Sequence, residues 1–255
     1  MELPVFTPAC PAGVLERELT VTPEQTDETG RMRCEALAAS MQQITEEHLH
    51  TFGWDRETLR DRNKIWVISW SSIEILRLPH TGEALRLRVW PGEKKSGMHT
   101  RRYVFYTVSG GPLVSAASIF LLMDAGSRTL ATGGDDLDIP AVSLPGEPAA
   151  PKLRISFPAE AGTKQRRVVR PEEIDANGHM NNTRYLAWTE ELPSLTFRAS
   201  HEPRVVRIQY VKELMQGQIV TMEVTAEGDS LFVRGRAGGA DAFLANILYR
   251  VTGKR

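Results

Sequence analysis

Three polar side chains, Asp175, Asn177 and His179, stand at alternate positions of one short segment. In an extended or turn-like backbone alternate residues point the same way, so these groups are predicted to face one side. An imidazole carries protons near pH 7, and a carboxamide can position water or bind an oxyanion. Gly178 can adopt a backbone conformation closed to other residues, and it precedes a helix predicted over 181–191 whose first N–H groups are further oxyanion donors. The segment therefore predicts attack of water on a carbonyl or thioester.

A simpler explanation of the same segment is an Asx turn that caps the helix, with Asp175 and Asn177 bonded to backbone N–H groups and His179 exposed. Taken singly, each residue fits this explanation, because capping residues are common at helix starts. The combination and its surroundings must decide between the two.

The surroundings of this segment are duplicated in the chain. Three short matches recur in the same order in the two halves, which indicates an internal repeat. Thr26–Met32 aligns with Ile174–Met180, and both segments are followed by apolar residues at helical spacing. The other matches are strand-like runs, Ile73–Ile75 with Gly82 against Ile208–Tyr210 with Gly217, and hairpin turns, Gly110-Gly111 against Gly238-Gly239.

Each half is predicted to contain a turn, one long amphipathic helix and several antiparallel strands, an α+β arrangement in which a curved sheet wraps the helix. The apolar helix positions are Leu37, Met41, Ile44 and Phe52 in the first half, and Tyr185, Trp188 and Leu192 in the second. The predicted strands are Ile65–Leu76, Ala84–Trp90, Arg101–Ser109 and Leu113–Met123, then Val205–Leu214, Gln218–Ala226, Leu231–Arg236 and Phe243–Val251.

The two copies of the loop differ in their chemistry. Asp27 matches Asp175, but Thr29 and Arg31 stand where the second copy has a carboxamide and an imidazole. The sequence therefore predicts one active site per chain, in the second half.

The segment Asp175–Tyr185 resembles the D-x-N-x-H-x-N-N-x-x-Y signature of the acyl-acyl carrier protein (acyl-ACP) thioesterases, plant and bacterial enzymes built as tandem hotdog domains. Landmarks similar to that family's occur in the first half at Ile65–Ile68, Arg77–Pro79, Gly82-Glu83, Ser96–Met98, Arg101-Arg102 and Ala117–Met123. The resemblance runs from about Val14 to Val251. It implies an α+β double hotdog packed as a pseudo-dimer, and hydrolysis of fatty acyl-ACP to free fatty acid and holo-ACP.

The resemblance implies that Asp175, Asn177, His179 and Glu213 are catalytic. Plant members carry a cysteine after this glutamate, but here Leu214 follows, so a thiol nucleophile at that position is impossible. The hypothesis is an activated water, with Glu213 as general base or water-orienting carboxylate and His179 relaying a proton to the leaving thiolate. Asn177 and helix N–H groups would stabilise the oxyanion, and Asp175 would orient His179 or Asn177. The choice of base between Glu213 and His179 stays open.

The sequence alone also explains Glu213 as a surface carboxylate paired with Lys212 or an arginine. Its counterpart in the first repeat is Leu78. The resemblance to tandem hotdog thioesterases implies that the acyl chain binds in the first domain, between helix and sheet. The residues predicted to line that pocket, which equally fit a simple core, are Met41, Ile44, Trp66, Ile68, Ile73 and Ile75.

The partner implied is acyl carrier protein, which is strongly acidic. A basic patch would steer it to the enzyme, and the candidates are Lys94-Lys95, Arg101-Arg102 and Lys164–Arg167. The sequence does not choose among them, nor does it set the preferred acyl chain length.

Length and composition agree with a globular protein of two modest domains. The chain has 255 residues, 41% hydrophobic and 25% charged, with a net charge of -1, which argues against a dedicated nucleic-acid binder. Cys10 and Cys34 are too few for a disulfide framework. A Pro-rich linker is predicted over 133–152, between an N-terminal domain at 1–132 and a C-terminal domain at 153–255.

Other patterns set further expectations. No secretory signal and no apolar run of roughly 20 residues is found, so the protein is expected to be cytoplasmic with no membrane span. No zinc-ligand spacing and no P-loop lysine is found, so neither a metal nor a cofactor is expected. A monomer is the minimal unit, and a homodimer stays open. The alternatives are a hotdog thioesterase acting on acyl-CoA, a non-catalytic acyl-binding regulatory protein and, on fold grounds, a dehydratase.

Overall fold

The structure is a computed structural model that describes residues 11–95, 97–131, 139–144, 154–158 and 162–252. Both borders of the predicted linker, at 132/133 and 152/153, lie outside these residues, as do Cys10 and Ser96. The described linker piece, 139–144, lies against the first half, where the Val142 N–H donates to the Pro91 carbonyl at 2.9 Å.

In the described part of the chain, ten strands form one antiparallel sheet that wraps two main helices. The strands are β1 (Leu15–Thr20), β2 (Lys64–Ile75), β3 (Ala84–Lys95), β4 (Met98–Thr107), β5 (Pro112–Asp124), β6 (Thr163–Val168), β7 (His201–Tyr210), β8 (Ile219–Glu227), β9 (Ser230–Ala237) and β10 (Ala240–Val251). The helices are α1 (Cys34–Thr51), α2 (Arg56–Asp61), α3 (Asn182–Glu190) and α4 (Leu195–Ser200).

The strand order shows the duplication directly. It is β1-β3-β4-β5-β2-β7-β10-β9-β8-β6, which is the order of the first five strands followed by its mirror image. The two halves join at the centre, where β2 and β7 pair with Trp70 opposite Gln209. The internal repeat predicted from the three sequence matches is therefore present, with each helix cradled by its own five strands.

One hydrophobic core runs through both halves, between the sheet and the helices. From α1 it takes Leu37, Met41 and Ile44, whose spacing of three to four residues sets one helix face inward. From α3 it takes Tyr185 and Trp188. Because this core is shared, the two halves pack as one body.

Several elements differ from the prediction. The edge strands β1 and β6 were not predicted, because their charged residues hide the apolar alternation; β6 reads Thr-Lys-Gln-Arg-Arg-Val. The second main helix is not long: α3 has 9 residues and stops shortly before Pro193. The short helices α2 and α4 were also unpredicted. β7 ends at Tyr210 rather than Leu214, so Glu213 lies in the loop that crosses from β7 to β8.

Candidate active site

The loop before α3 is an Asx turn that holds Asp175, Asn177 and His179 together. The Asp175 carboxylate accepts hydrogen bonds from the Asn177 backbone N–H at 2.7 Å and from the Asn177 side-chain amide at 3.3 Å. The Asp175 N–H donates to the His179 carbonyl at 2.9 Å, which closes the loop. Gly178 has φ +83°, a conformation that favours glycine. The predicted Asx turn is thus present and brings the polar groups together, but α3 is capped by Asn181, whose side chain accepts from the Thr183 N–H at 2.9 Å, and not by Asp175 or Asn177.

The His179 imidazole lies between two carboxylates. Its Nδ1 is 3.8 Å from an Asp175 oxygen and its Nε2 is 3.7 Å from Glu213 Oε1. The side chain is only 16% exposed, and its Nδ1 has no hydrogen-bond partner among the described residues. His179 is therefore not the exposed residue that a purely capping loop would have. Each of its two nitrogens has a carboxylate oxygen nearby, at a distance longer than a hydrogen bond.

Glu213 reaches the site from the loop that connects β7 to β8. This loop is fixed to the turn that carries His179, because the Met180 N–H donates to the Leu214 carbonyl at 2.7 Å. Leu214 itself is fully buried in the core. The Glu213 side chain remains 38% exposed, so water can reach it.

Arg128 is a residue of this site that was not predicted from the sequence. Its Nη1 donates to Glu213 Oε1 at 3.0 Å from a turn after β5, in the first half of the chain. The Asp124 carboxylate holds that turn by accepting from the N–H groups of Gly126 and Ser127, and the bonds from Ser127 lower the pKa of Asp124. An Asp-Ala-Gly-Ser sequence does signal a turn. Nothing in the sequence links that turn to a glutamate 85 residues away.

Two tyrosines stabilise the start of α3. Tyr185 and Tyr210 meet edge to face at 5.4 Å, and the Tyr210 hydroxyl donates to the Asn182 carbonyl at 3.1 Å. Burial raises the pKa of both phenols, so both stay protonated and act as packing and hydrogen-bonding groups.

Comparison with known proteins decides the family. The family model of the acyl-ACP thioesterase N-terminal domain matches residues 13–138, and that of the acyl-ACP thioesterase C-terminal domain matches residues 157–248. The chain belongs to the acyl-ACP thioesterase family.

Solved structures agree with this family assignment. An acyl-ACP thioesterase from Bacteroides thetaiotaomicron superposes with a TM-score of 0.82 at 17% identity, covering 93% of this chain and 98% of that one. The 12:0-ACP thioesterase from Umbellularia californica gives 0.81 at 21% identity, covering 94% and 98%. At such identities the likeness establishes the fold, which is the predicted α+β double hotdog.

A curated family relative is more similar in sequence but longer. Oleoyl-acyl carrier protein thioesterase 1, chloroplastic, from Arabidopsis thaliana is 24% identical over 218 residues, which cover 76% of this chain and 59% of that protein. The chain thus spans under two thirds of the length of that acyl-ACP thioesterase. Activity and substrate therefore need support from this chain's own residues.

The first-half copy of the loop, by contrast, has become structural in this family member. Arg31, at the position of His179, is almost fully buried and donates to the carbonyl of Arg198 at 2.5 Å and, less closely, to that of His201. Leu78, at the position of Glu213, is buried in the core. The first half therefore has neither an imidazole nor a carboxylate at the positions of His179 and Glu213.

The first N–H groups of α1, the helix that follows this first loop, are already hydrogen-bonded. The Glu190 carboxylate accepts hydrogen bonds from the N–H groups of Cys34 at 2.7 Å and Glu35 at 2.9 Å, at the N-terminus of α1. Burial raises the pKa of Glu190 and of the Cys34 thiol beside it. Because a carboxylate already occupies these donors, the first half has no vacant oxyanion site at this helix.

The six residues predicted to line an acyl pocket have two environments. Met41, Ile44, Ile73 and Ile75 are buried in the shared core. Ile68 and Trp66 are half-buried. Trp66 lies beside a cavity of about 10 Å³ that is also lined by Gly92, His99, Thr100, Arg101, Phe120 and Ile139. Their role as a pocket lining stays a prediction.

The interior beside this cavity is polar. Arg101 is buried and its guanidinium lies 2.8 Å from His48 Nδ1, while Tyr103 shares a 2.7 Å hydrogen bond with Thr45. Burial and the adjacent Arg101 charge lower the pKa of His48 to about 4, so this imidazole is neutral at pH 7. Arg101 is therefore not at the surface, and Arg102 is half-buried and lies over the Trp90 ring. Arg101-Arg102 is thus not the exposed pair of cations that the sequence suggested.

Two features are absent from the described residues. No group of three or more His, Cys, Asp or Glu side chains there is arranged to hold a metal ion. Among the helices of that part of the chain, none combines the length and apolar character needed to cross a membrane.

Proposed function

We propose that this chain hydrolyses fatty acyl-ACP thioesters to free fatty acid and holo-ACP. The observation that carries the proposal is the convergence of Asp175, His179 and Glu213, with His179 within 4 Å of both carboxylates, in a chain of the acyl-ACP thioesterase family. A protein that only binds acyl groups needs no proton path of this kind. The non-catalytic alternative is therefore disfavoured.

In the proposed mechanism a water molecule adds to the thioester carbonyl. Glu213, the exposed carboxylate, either takes the proton of that water and passes it to His179, or orients the water while His179 takes the proton. His179 then delivers this proton to the sulfur as the C–S bond breaks, so that the leaving group departs as a thiol. Asn177 stabilises the oxyanion, together with an N–H group at the start of α3 that the Asn181 cap leaves open. Asp175 holds Asn177 by two hydrogen bonds and faces His179 Nδ1, so it orients both.

The division of labour between the halves belongs to the same proposal. The acyl chain enters the first half between α1 and the sheet, in the region of Met41, Ile44, Trp66 and Ile68, and the second half carries the chemistry. The domain limits are 1–132 and 153–255, and the location is the cytoplasm. The first half has Arg31 and Leu78 where the second half has His179 and Glu213, and this difference supports the division.

The test is thiol release by the purified protein. Acyl chains of several lengths are presented on ACP and on coenzyme A, and the free thiol is followed over time. We expect faster release from ACP, with a preferred chain length. Faster release from coenzyme A would favour the acyl-CoA alternative, and no release from either would refute the thioesterase proposal.

A further inference from the structure

Three apolar side chains form an exposed patch at the outer edge of the second half. Val168, Met215 and Ile219 are 51%, 47% and 56% exposed. Val168 and Ile219 are directly opposed in the pairing of β6 with β8, so their side chains lie on the same face of the sheet. The Met215 carbonyl accepts from the Gln218 N–H at 3.1 Å, in the turn that leads into Ile219. The three residues are therefore neighbours.

Two cations flank this patch. Arg166 lies two residues before Val168 on β6, hence on the same face, and it has no carboxylate within ion-pair distance among the described residues. Arg170 is 74% exposed and has Glu172 at 3.8 Å as its ion-pair neighbour. We call Arg166, Val168, Arg170, Met215 and Ile219 the docking rim.

The first half has the same backbone at the equivalent place but different side chains. Thr20 and Ala84 oppose each other as Val168 and Ile219 do. The His80 carbonyl accepts from the Glu83 N–H, as the Met215 carbonyl accepts from the Gln218 N–H. Glu18 and Thr22 stand at the positions of the two arginines. The apolar and basic character is thus confined to the half that carries the catalytic groups. The fold does not require it, because the first half folds without it.

The docking rim adjoins the candidate active site. Met215 lies two residues after Glu213, and the intervening Leu214 carries the carbonyl that accepts the Met180 N–H. A partner resting on the rim would therefore stand beside the loop that contains His179.

We propose that the docking rim is the surface on which the acidic carrier protein binds to deliver its thioester. This inference rests on the proposed function. Arginines beside exposed apolar side chains complement an acidic protein that has an apolar surface patch. The opposite charges steer the protein to the rim, and burial of the apolar side chains stabilises the complex. The rim is small, as suits a carrier that must leave after each turnover.

The other candidate cations lie elsewhere or are more closely paired. Arg101 is buried. Lys94-Lys95 lies at the end of the β3–β4 hairpin in the first half, where Lys95 is opposed to the exposed Met98. Lys164 on β6 is paired with Glu223 at 3.3 Å, closer than the 3.8 Å between Arg170 and Glu172.

The test compares two double charge reversals of equal size. Arg166→Glu with Arg170→Glu removes the cations of the docking rim, and Lys94→Glu with Lys95→Glu makes the same charge change elsewhere. Affinity for unacylated holo-ACP is measured by fluorescence anisotropy at low and high salt, and KM is measured with acyl-ACP and with an acyl-pantetheine thioester that has no carrier.

We expect the rim variant to bind holo-ACP about tenfold more weakly at low salt, with the difference shrinking at high salt, and to raise KM for acyl-ACP more than for acyl-pantetheine. The Lys94/Lys95 variant should bind as the wild type does. Ile219→Asp should weaken binding even at high salt, because it removes apolar contact. Equal binding by wild type and rim variant would refute the docking rim while leaving thioester hydrolysis intact. A wild type that binds no ACP would refute the rim and the carrier substrate together, and acyl-CoA turnover would then show whether any thioesterase activity exists.

Discussion

Arg128 Nη1 donates to Glu213 Oε1 at 3.0 Å, and the same oxygen lies 3.7 Å from His179 Nε2. The guanidinium comes from the first half of the chain and the other two groups from the second. Glu213 is therefore held by a cation on one side and faces the imidazole on the other, so both halves contribute to the site.

From this pairing we predict that Arg128→Met lowers kcat/KM about tenfold, roughly 1.4 kcal/mol, because Glu213 loses the donor that positions it. Arg128→Lys should recover part of the lost kcat/KM. Arg56 is an exposed arginine of the same half, and Arg56→Met should leave kcat/KM unchanged. The decisive measurement is a double-mutant cycle: if Arg128 acts through Glu213, then Arg128→Met costs nothing further in a Glu213→Gln background.

Glu213 itself can be tested with an uncharged variant of the same shape. Glu213→Gln should lower kcat by about 100-fold or more, the usual range for a lost acid–base group. Glu74→Gln, at an exposed position of β2, is the control for a neutralised carboxylate. Folding is checked by thermal unfolding of each variant. Full turnover by Glu213→Gln would contradict the role of this carboxylate.

The polar groups of the loop could be placed together from the sequence, but the residues around them could not, for a physical reason. Asp175, Asn177 and His179 lie within five residues, so their convergence depends only on local turn geometry. Glu213 was suggested by resemblance alone, and Arg128 was missed, because contacts over many residues depend on how the two halves pack. A single active site, indicated by Leu78 in place of Glu213, stays a prediction.

The fold was predictable where apolar spacing was regular and unpredictable at the edges. The central strands and α1 bury one face, which leaves a periodic pattern. In β1 and β6 charged residues replace that pattern, as they often do where a strand has a free edge. The edge residues that misled the strand prediction include Arg166 and Val168 of the docking rim.

Arg31 should be a stability residue rather than a catalytic one. Its buried guanidinium donates to carbonyls around the end of α4 and lies 3.6 Å from Asp27 and 3.8 Å from Glu202. Arg31→Met would leave these acceptors unpaired, at a cost of about 3 kcal/mol in the free energy of unfolding. Urea unfolding measures it, with exposed Arg60→Met as control. Arg31→His should not create a second active site, because Leu78 supplies no carboxylate; a gain in turnover would contradict this.

His48 should make the protein sensitive to acid. Its folded-state pKa of about 4 lies below the unfolded value of 6.5, so the unfolded chain takes up a proton first as the pH falls. The stabilisation is complete above pH 6.5 and is lost between pH 6.5 and 4, up to about 3 kcal/mol. In His48→Gln this part of the pH dependence should vanish from urea unfolding curves. His80 is exposed, and His80→Gln should keep this pH dependence. If the free energy of unfolding of His48→Gln still fell with pH as in the wild type, another group would be responsible.

The two loop glycines allow stability to be separated from catalysis. Gly30 and Gly178 hold equivalent places with φ +76° and +83°, and a Cβ at either would meet no atom closer than 3.7 Å. Alanine at each should therefore cost a similar amount, about 1 kcal/mol, from left-handed backbone strain alone. Only Gly178→Ala should also lower kcat, by about tenfold, because relief of that strain moves Asn177 and His179 on either side of it. Thermal unfolding and thiol release measured on both variants check this. Equal loss of turnover in Gly30→Ala would mean that the first-half loop takes part in the chemistry, because both variants would carry the same strain.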